Sequence, residues 1–152
     1  PPHAFLFSDG TISDLGVGAG IGSAATDIND SGDIAGYVEY RDAIRRAMLW
    51  SGGHMTDLGT LGGSSSRANA INNEKVVVGS SYAEGLASLR AFVWDGGAMV
   101  DLNSVLAPHN QDGLILHEAI DINNKGEILC NGSCPSGASS FLLTPFAIQA
   151  AR

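Results

Sequence analysis

Apolar and polar positions along this chain alternate in short strand-sized runs, and the runs recur. His3-Ala4-Phe5-Leu6-Phe7 returns as Arg46-Ala47-Met48-Leu49-Trp50 and again as Arg90-Ala91-Phe92-Val93-Trp94. Each copy is followed by a Gly-containing turn and an Asp-Leu pair: Asp14-Leu15, Asp57-Leu58 and Asp101-Leu102. An Ile-Asn step follows each of these, at Ile28-Asn29, Ile71-Asn72 and Ile122-Asn123. The spacing from Ala4 to Ala47 to Ala91 is 43 and then 44 residues. A period in this range marks a stacked or radial array of supersecondary units. No segment sustains apolar residues at helical spacing over three turns, whereas short runs separated by Gly and Asn turns are the pattern of an all-β fold. The expected plan is three repeats of four short antiparallel strands: repeat 1 over 3–45, repeat 2 over 46–89 and repeat 3 over 90–140. A partial fourth strand at 141–145 and a tail at 146–152 complete a single domain, 1–152.

The phase of the repeat predicts the topology. The longest recurring connection follows Asp-Leu, at Gly16–Gly22, Gly59–Ser66 and Asn103–Leu116. Short turns run within sheets and long ones between them, so one sheet should hold the Ile-Asn strand, its hairpin partner, the Ala-Phe strand and the Asp-Leu strand. That gives two whole sheets, 24–58 and 68–102, preceded by half a sheet (3–16) and followed by most of another (117–143). Such units suit propeller-like blades. Propellers commonly have four to eight of them, so three would close by pairing two chains into a six-bladed ring, unless the chain is an excised piece. A β-trefoil or a three-sheet β-prism has a similar size.

Composition narrows the class. The chain has 152 residues, 44% hydrophobic and 16% charged, with 20 glycines and a net charge of −8. It is a folded composition with many tight turns. The acidic balance repels phosphate backbones, so nucleic acid is excluded as a partner, and no apolar run reaches the length of a membrane span.

Residues 54–63, His-Met-Thr-Asp-Leu-Gly-Thr-Leu-Gly-Gly, and 71–79, Ile-Asn-Asn-Glu-Lys-Val-Val-Val-Gly, carry a specific likeness. With His3-Ala4-Phe5 at the head of the first copy, the chain resembles the HAF-type extracellular repeat family of bacteria along nearly its whole length. The resemblance implies a secreted or cell-surface protein, or a periplasmic one, with propeller-like repeats and no catalytic motif to carry over. Two departures stand out. Unit three carries extra residues around Ala107–Gly113, and its Val-Val-Gly step becomes Ile128-Leu129-Cys130.

Residues that recur once per unit behave as scaffold. Asp14, Asp57 and Asp101 read as turn-capping residues instead of catalytic acids, and Phe7, Trp50 and Trp94 as packing between sheets. Asp27, Asn29 and Asp33 place oxygens at alternate positions, as a Ca²⁺ loop would, but Val38 stands where that loop needs a bidentate Glu. Ca²⁺ is the one cofactor with any local pattern, and a hairpin turn in which Asn or Asp bonds its own backbone is the better account of these residues. Cys130-Asn131-Gly132-Ser133-Cys134 reads as a tight hairpin, with a disulfide between Cys130 and Cys134 if its loop has three residues.

Residues that break the symmetry are the better binding candidates. One group is His109, Asn110, Gln111, Asp112, His117 and Glu118, on and after the extra loop. The other is Arg41, Asp42, Arg45 and Arg46. The expected function is a non-enzymatic binding or interaction module that presents loops to a protein or glycan. A glycan-active hydrolase using Asp112 and Glu118 and a purely structural surface repeat are the alternatives.

Overall fold

The computed structural model describes residues 2–106 and 113–144. Within them the protein is all-β, built as four antiparallel sheets. The first is a hairpin of β1 (Phe5–Ser8) and β2 (Thr11–Asp14). The second runs β3 (Gly22–Ile28), β4 (Ile34–Glu39), β5 (Arg45–Ser51) and β6 (His54–Asp57) in sequence order. The third repeats that order with β7 (Gly62–Ile71), β8 (Val77–Ala83), β9 (Leu89–Trp94) and β10 (Val100–Asp101). The fourth holds β11 (Ile115–Ile122), β12 (Ile128–Cys134) and β13 (Gly137–Leu143). These sheets have the expected phase, a half sheet, two whole sheets and three strands of another. Among the described residues no sheet closes into a barrel.

Local sequence accounts for the strand ends. Asp9 (φ 51°) and Gly10 (φ 76°) both take positive φ, as do Gly52 (φ 56°) and Gly53 (φ 78°). Two consecutive residues of that kind form the hairpin turn whose twist matches the flanking strands. Gly79 has a different role: a Cβ there would lie 2.0 Å from the Arg67 carbonyl oxygen. The register sets Ala68 opposite Gly79 just before a bulge, so β7 and β8 approach too closely for any side chain. In the fourth sheet Cys130 stands opposite Ala119 instead, again just before a register shift, here between Ala119 and Asp121.

Two expectations need correction. After Asp101 the chain does not enter an irregular connection but forms a short helix, α1 (Leu102–Leu106). The Asp101 side chain accepts the Asn103 N–H at 2.8 Å, and Leu102 and Val105 are buried. A cap and two anchored apolar residues stabilise a turn too short to show helical periodicity. The second correction concerns Cys130–Cys134. It is no hairpin: these residues lie along the extended strand β12, paired on both sides, and the turn follows Cys134. Four residues along a strand span about 13 Å, too far for a disulfide, and neither Cys130 nor Cys134 forms one.

Successive sheets pack face to face. Ala35, Ala47, Leu49 and Leu58 on one side meet Ala68, Ile71, Val77 and Phe92 on the next. One sheet further on, Val78, Ala91, Val93 and Leu102 meet Leu116, Ala119, Ile122, Ile128, Cys130 and Leu143. The hairpin β1–β2 docks on the second sheet through Leu6 and Leu15, against Ile34, Met48 and Trp50. Trp50 also donates its indole N–H to the Leu15 carbonyl at 2.8 Å. The aromatic positions Trp50 and Trp94 therefore serve packing between sheets, whereas Phe7 lies exposed.

The Ile-Asn asparagines tie the sheets together. Asn29 Oδ1 accepts the N–H groups of Ser31 and Asp33, closing its own turn. Asn72 does the same for Glu74 and Val76, and Asn123 for Lys125 and Glu127. The other end of each amide points outward. Asn29 Nδ2 donates to the Asn72 carbonyl at 3.0 Å, and Asn72 Nδ2 to the Asn123 carbonyl at 3.3 Å. Asn123 Nδ2 turns back to Glu127 Oε2 at 2.6 Å. A second ladder runs through the bulges. Thr26 Oγ1 reaches the Ala68 carbonyl at 3.0 Å, and Asn69 Nδ2 the Ala119 carbonyl at 2.8 Å.

Asn72→Ala removes three such bonds from a buried site, one of them between sheets, and should cost about 2 kcal/mol of unfolding free energy. Asn123→Ala breaks only local and exposed bonds and should cost about half as much. Urea denaturation of the two variants measures the difference, and equal losses would show that the inter-sheet bond contributes nothing.

Candidate functional site

Repeat symmetry breaks most sharply at one cross-strand pair. The register sets Ala24 opposite Tyr37, Arg67 opposite Ser80, and Glu118 opposite Asn131. Where the second sheet has a small residue and an aromatic, the third has a guanidinium and a hydroxyl, and the fourth a carboxylate and an amide. Arg67, Ser80, Glu118 and Asn131 border two neighbouring clefts that share Arg67 and Glu118. One, of about 280 Å³, is also lined by Arg45, Ser65, Ser80 and Tyr82. The other, of about 510 Å³, also touches Thr26, Asn69, Ile120 and Asn131. Strands from three sheets thus meet at one polar surface.

Tyr37 organises the cations. The Arg45 guanidinium carbon lies 4.8 Å from the Tyr37 ring centroid and that of Arg67 5.3 Å. Both are within cation–π range, so one half-buried ring holds two positive charges close together. Arg45 is further fixed by Glu39 Oε2 at 3.1 Å, and its main chain exchanges bonds with the Ser65 hydroxyl. Arg67 is exposed and makes no salt bridge among the described residues. Glu118 Oε1 accepts a hydrogen bond from Asn69 Nδ2 at 3.0 Å. The result is an anchored cation, a second one open to a ligand, a phenol, two serine hydroxyls and a carboxylate.

The sequence candidates divide accordingly. Arg45 and Glu118, taken from separate groups, come together at this cleft. His117 does not line it: its Nε2 lies 2.9 Å from the Ser133 hydroxyl, a link between β11 and β12. Arg41 and Asp42 belong to a single 3₁₀ turn over Arg41–Ala43, with Asp42 at φ 61°. Arg46 is half-buried on β5 and borders neither cleft. His109, Asn110, Gln111 and Asp112 lie outside the described residues, and with Asp112 goes the second acid of a hydrolase pair. Sequence reading passed over Arg67, Tyr37 and Tyr82. The available signal was that Arg67 occupies the strand position held by Ala24 and Glu118 in the other copies.

The recurring acids are structural in their geometry. Asp14, Asp57 and Asp101 each accept the N–H two residues on, at 2.7, 2.8 and 2.8 Å. The His3 side chain, bonded to Asp14 at 2.7 Å, and the Gly16 N–H together lower the Asp14 pKa. The Ca²⁺ candidates are engaged elsewhere. Asp27 accepts the N–H groups of Ile28 and Ile71. Asn29 bonds Asp33, and the Lys75 ammonium lies 3.2 Å from Asp33 where a cation would sit. No group of three His, Cys, Asp or Glu among the described residues is placed to hold a metal.

Lys75 breaks the repeat at a turn. It has φ 62° at the turn position that Gly32 and Gly126 hold in the other copies, a conformation that costs a side-chain-bearing residue about 1 kcal/mol. Its ammonium reaches Ser51 Oγ at 2.9 Å as well as the buried Asp33 carboxylate. Burial raises the Asp33 pKa, but hydrogen bonds from Ser51, Asn29 and Lys75, with the Lys75 charge, outweigh it and leave the group below its ordinary value.

No family model, curated protein or solved structure matches this chain.

A carboxyl with a lowered folded-state pKa stabilises the fold above the ordinary carboxylate range, and that contribution is lost as the pH falls through the folded-state value. Lys75→Met should therefore destabilise by about 1 kcal/mol at neutral pH and by clearly less at pH below the Asp33 titration, where only the Ser51 bond is lost; thermal unfolding across that range reads it. Burial pushes the Cys130 thiol up to about 12, so it stays protonated and unreactive. Iodoacetamide on the native protein should modify Cys134 alone, and after denaturation both; mass spectrometry of the peptides distinguishes the two.

Proposed function

We propose that the protein is a non-enzymatic binding module, a propeller-like scaffold that presents a polar cleft and its surrounding loops to a protein or glycan ligand. The observation carrying this reading is Arg67, an exposed guanidinium held against Tyr37 with no ion-pair partner among the described residues. It stands beside Arg45, Tyr82 and Glu118 at the meeting of three sheets. An acidic chain that gathers two of its few cations on one aromatic ring pays electrostatic repulsion for the arrangement, and an acidic or hydroxyl-rich ligand offsets it. Planar guanidinium, phenol face and hydroxyls are groups that recognise sugar hydroxyls and carboxylates, or acidic side chains of a protein. The resemblance to HAF-type repeats supports a secreted, cell-surface or periplasmic setting. The sole described acid at the cleft already accepts an amide hydrogen bond, which favours binding over hydrolysis.

A glycan array followed by calorimetry on the hits tests the glycan version. Arg67→Ala should weaken binding of the selected glycan by roughly tenfold or more, equivalent to about 1.4 kcal/mol, while leaving thermal stability nearly unchanged. A ligand bound equally well by Arg67→Ala would remove the cleft from the proposal, and an array without hits would leave a protein ligand as the version to pursue.

A further inference from the structure

We infer that the smaller cleft is a subsite for one carboxylated sugar ring, a hexuronic acid residue of a glycan; this rests on the binding role proposed for the cleft and names its ligand. Ser80 carries the inference. It is only 5% exposed, lines the cleft, and its hydroxyl has no hydrogen-bond partner among the described residues. Polar groups so nearly buried are normally paired. The matching positions in the adjoining sheets are occupied in this way: Tyr37 holds two guanidinium groups, and Asn131 accepts the Ser140 hydroxyl. In the third sheet alone the group is left for something from outside. Tyr82 lies two residues along β8, on the same face, with Leu89 opposite it on β9. The hydroxyl therefore sits beside an aromatic and an aliphatic side chain that also line the cleft, a wall that suits the C–H face of a sugar ring.

The charges around Ser80 select the ring. Arg67 stands directly across the strand pair from it, with no carboxylate partner among the described residues. Arg45 gives its Nε to Glu39, and its two terminal nitrogens make no bond among the described residues. Two guanidinium groups thus share one carboxylate of the protein, and a ligand carboxylate supplies the second, accepting guanidinium N–H groups in a planar pair. Glu118 sets the opposite requirement. Its Oε1 accepts the Asn69 amide, and its Oε2 has no partner among the described residues. An ionised carboxylate only accepts, so that side of the cleft calls for donors. An acidic side chain of a protein satisfies the guanidinium groups but brings no donor to Glu118. A uronic acid carries its carboxylate and its hydroxyls on one rigid ring. The cleft of about 280 Å³ lies just below the volumes that hold drug-sized ligands, the scale of a single ring. The larger cleft shares Arg67 and Glu118 with it and leaves room for the adjoining sugar.

Calorimetric titration with matched disaccharides tests this, each containing glucuronate, galacturonate or mannuronate and compared with its neutral hexose counterpart. At least one uronate should bind about ten times more tightly than its counterpart, and Arg67→Gln should erase the difference. Ser80→Ala should weaken that uronate by about threefold or more while leaving the Tm unchanged or raised, because the unliganded fold makes no use of the hydroxyl. Glu118→Gln should weaken the uronate and its neutral counterpart alike. A neutral sugar bound as tightly as its uronate overturns the inference and leaves the binding role of the cleft standing. So does a Ser80→Ala chain that binds the uronate like wild type. Where no sugar binds, the uronate is overturned, and a peptide rich in Asp and Glu is titrated next. Peptide binding that Arg67→Gln abolishes keeps the cleft as a protein site, whereas no peptide binding removes the cleft from the proposed function as well.

Discussion

Everything in this fold hangs on an asparagine amide used at both ends. Its oxygen holds two main-chain N–H groups and so fixes a tight turn, while its nitrogen crosses to the next sheet. Neither half suffices alone. A turn without the crossing bond would leave sheets free to slide on flat apolar faces, and a crossing bond from a mobile side chain would carry a large entropy cost. Fixing the amide in its turn first makes the second bond cheap. The apolar faces then supply most of the stabilisation, and the amides supply the register between sheets.

The same logic explains how much could be read before any coordinates. Strand order and sheet phase were legible because turns and connections differ in length, and length is visible in sequence. The scaffold role of Asp14, Asp57 and Asp101 was legible because symmetry discounts them. The Cys130–Cys134 segment misled because Asn-Gly is a strong local turn signal. It lost to pairing on both sides of β12, where Asn131 also accepts the Ser140 hydroxyl. Tertiary pairing overrode local preference there. The helix after Asp101 was invisible because five residues carry no period. Arg67 went unremarked because a charged residue on a strand reads as a solvated position, and only the geometry reveals its aromatic support.

Positions that depart from the repeat divide into two kinds. Lys75 accepts backbone strain in order to neutralise a buried carboxylate across a sheet boundary, so its departure serves the fold. Arg67, Tyr37 and Glu118 share one layer of the array and serve no such purpose. Their neighbours in the other copies, Ala24, Ser80 and Asn131, show that the layer folds with quite different side chains. Chemistry is free to vary there because the third- and fourth-sheet positions of the layer border the clefts, while the apolar faces and the amide ladder stay constant.

The bonds of the two ladders have one further property: all four acceptors on the receiving side are main-chain carbonyls. A carbonyl is present whatever the residue, so these ladder donors make no demand on the sequence that follows them. One whole unit can therefore replace another without orphaning a ladder donor, provided the cut falls in the connection between sheets, whereas the Lys75–Asp33 pair ties two particular units together. The length of such an array is a quantity evolution can alter in steps, at little structural risk, while a cleft built from three adjacent sheets stays intact only where its own neighbours are kept together.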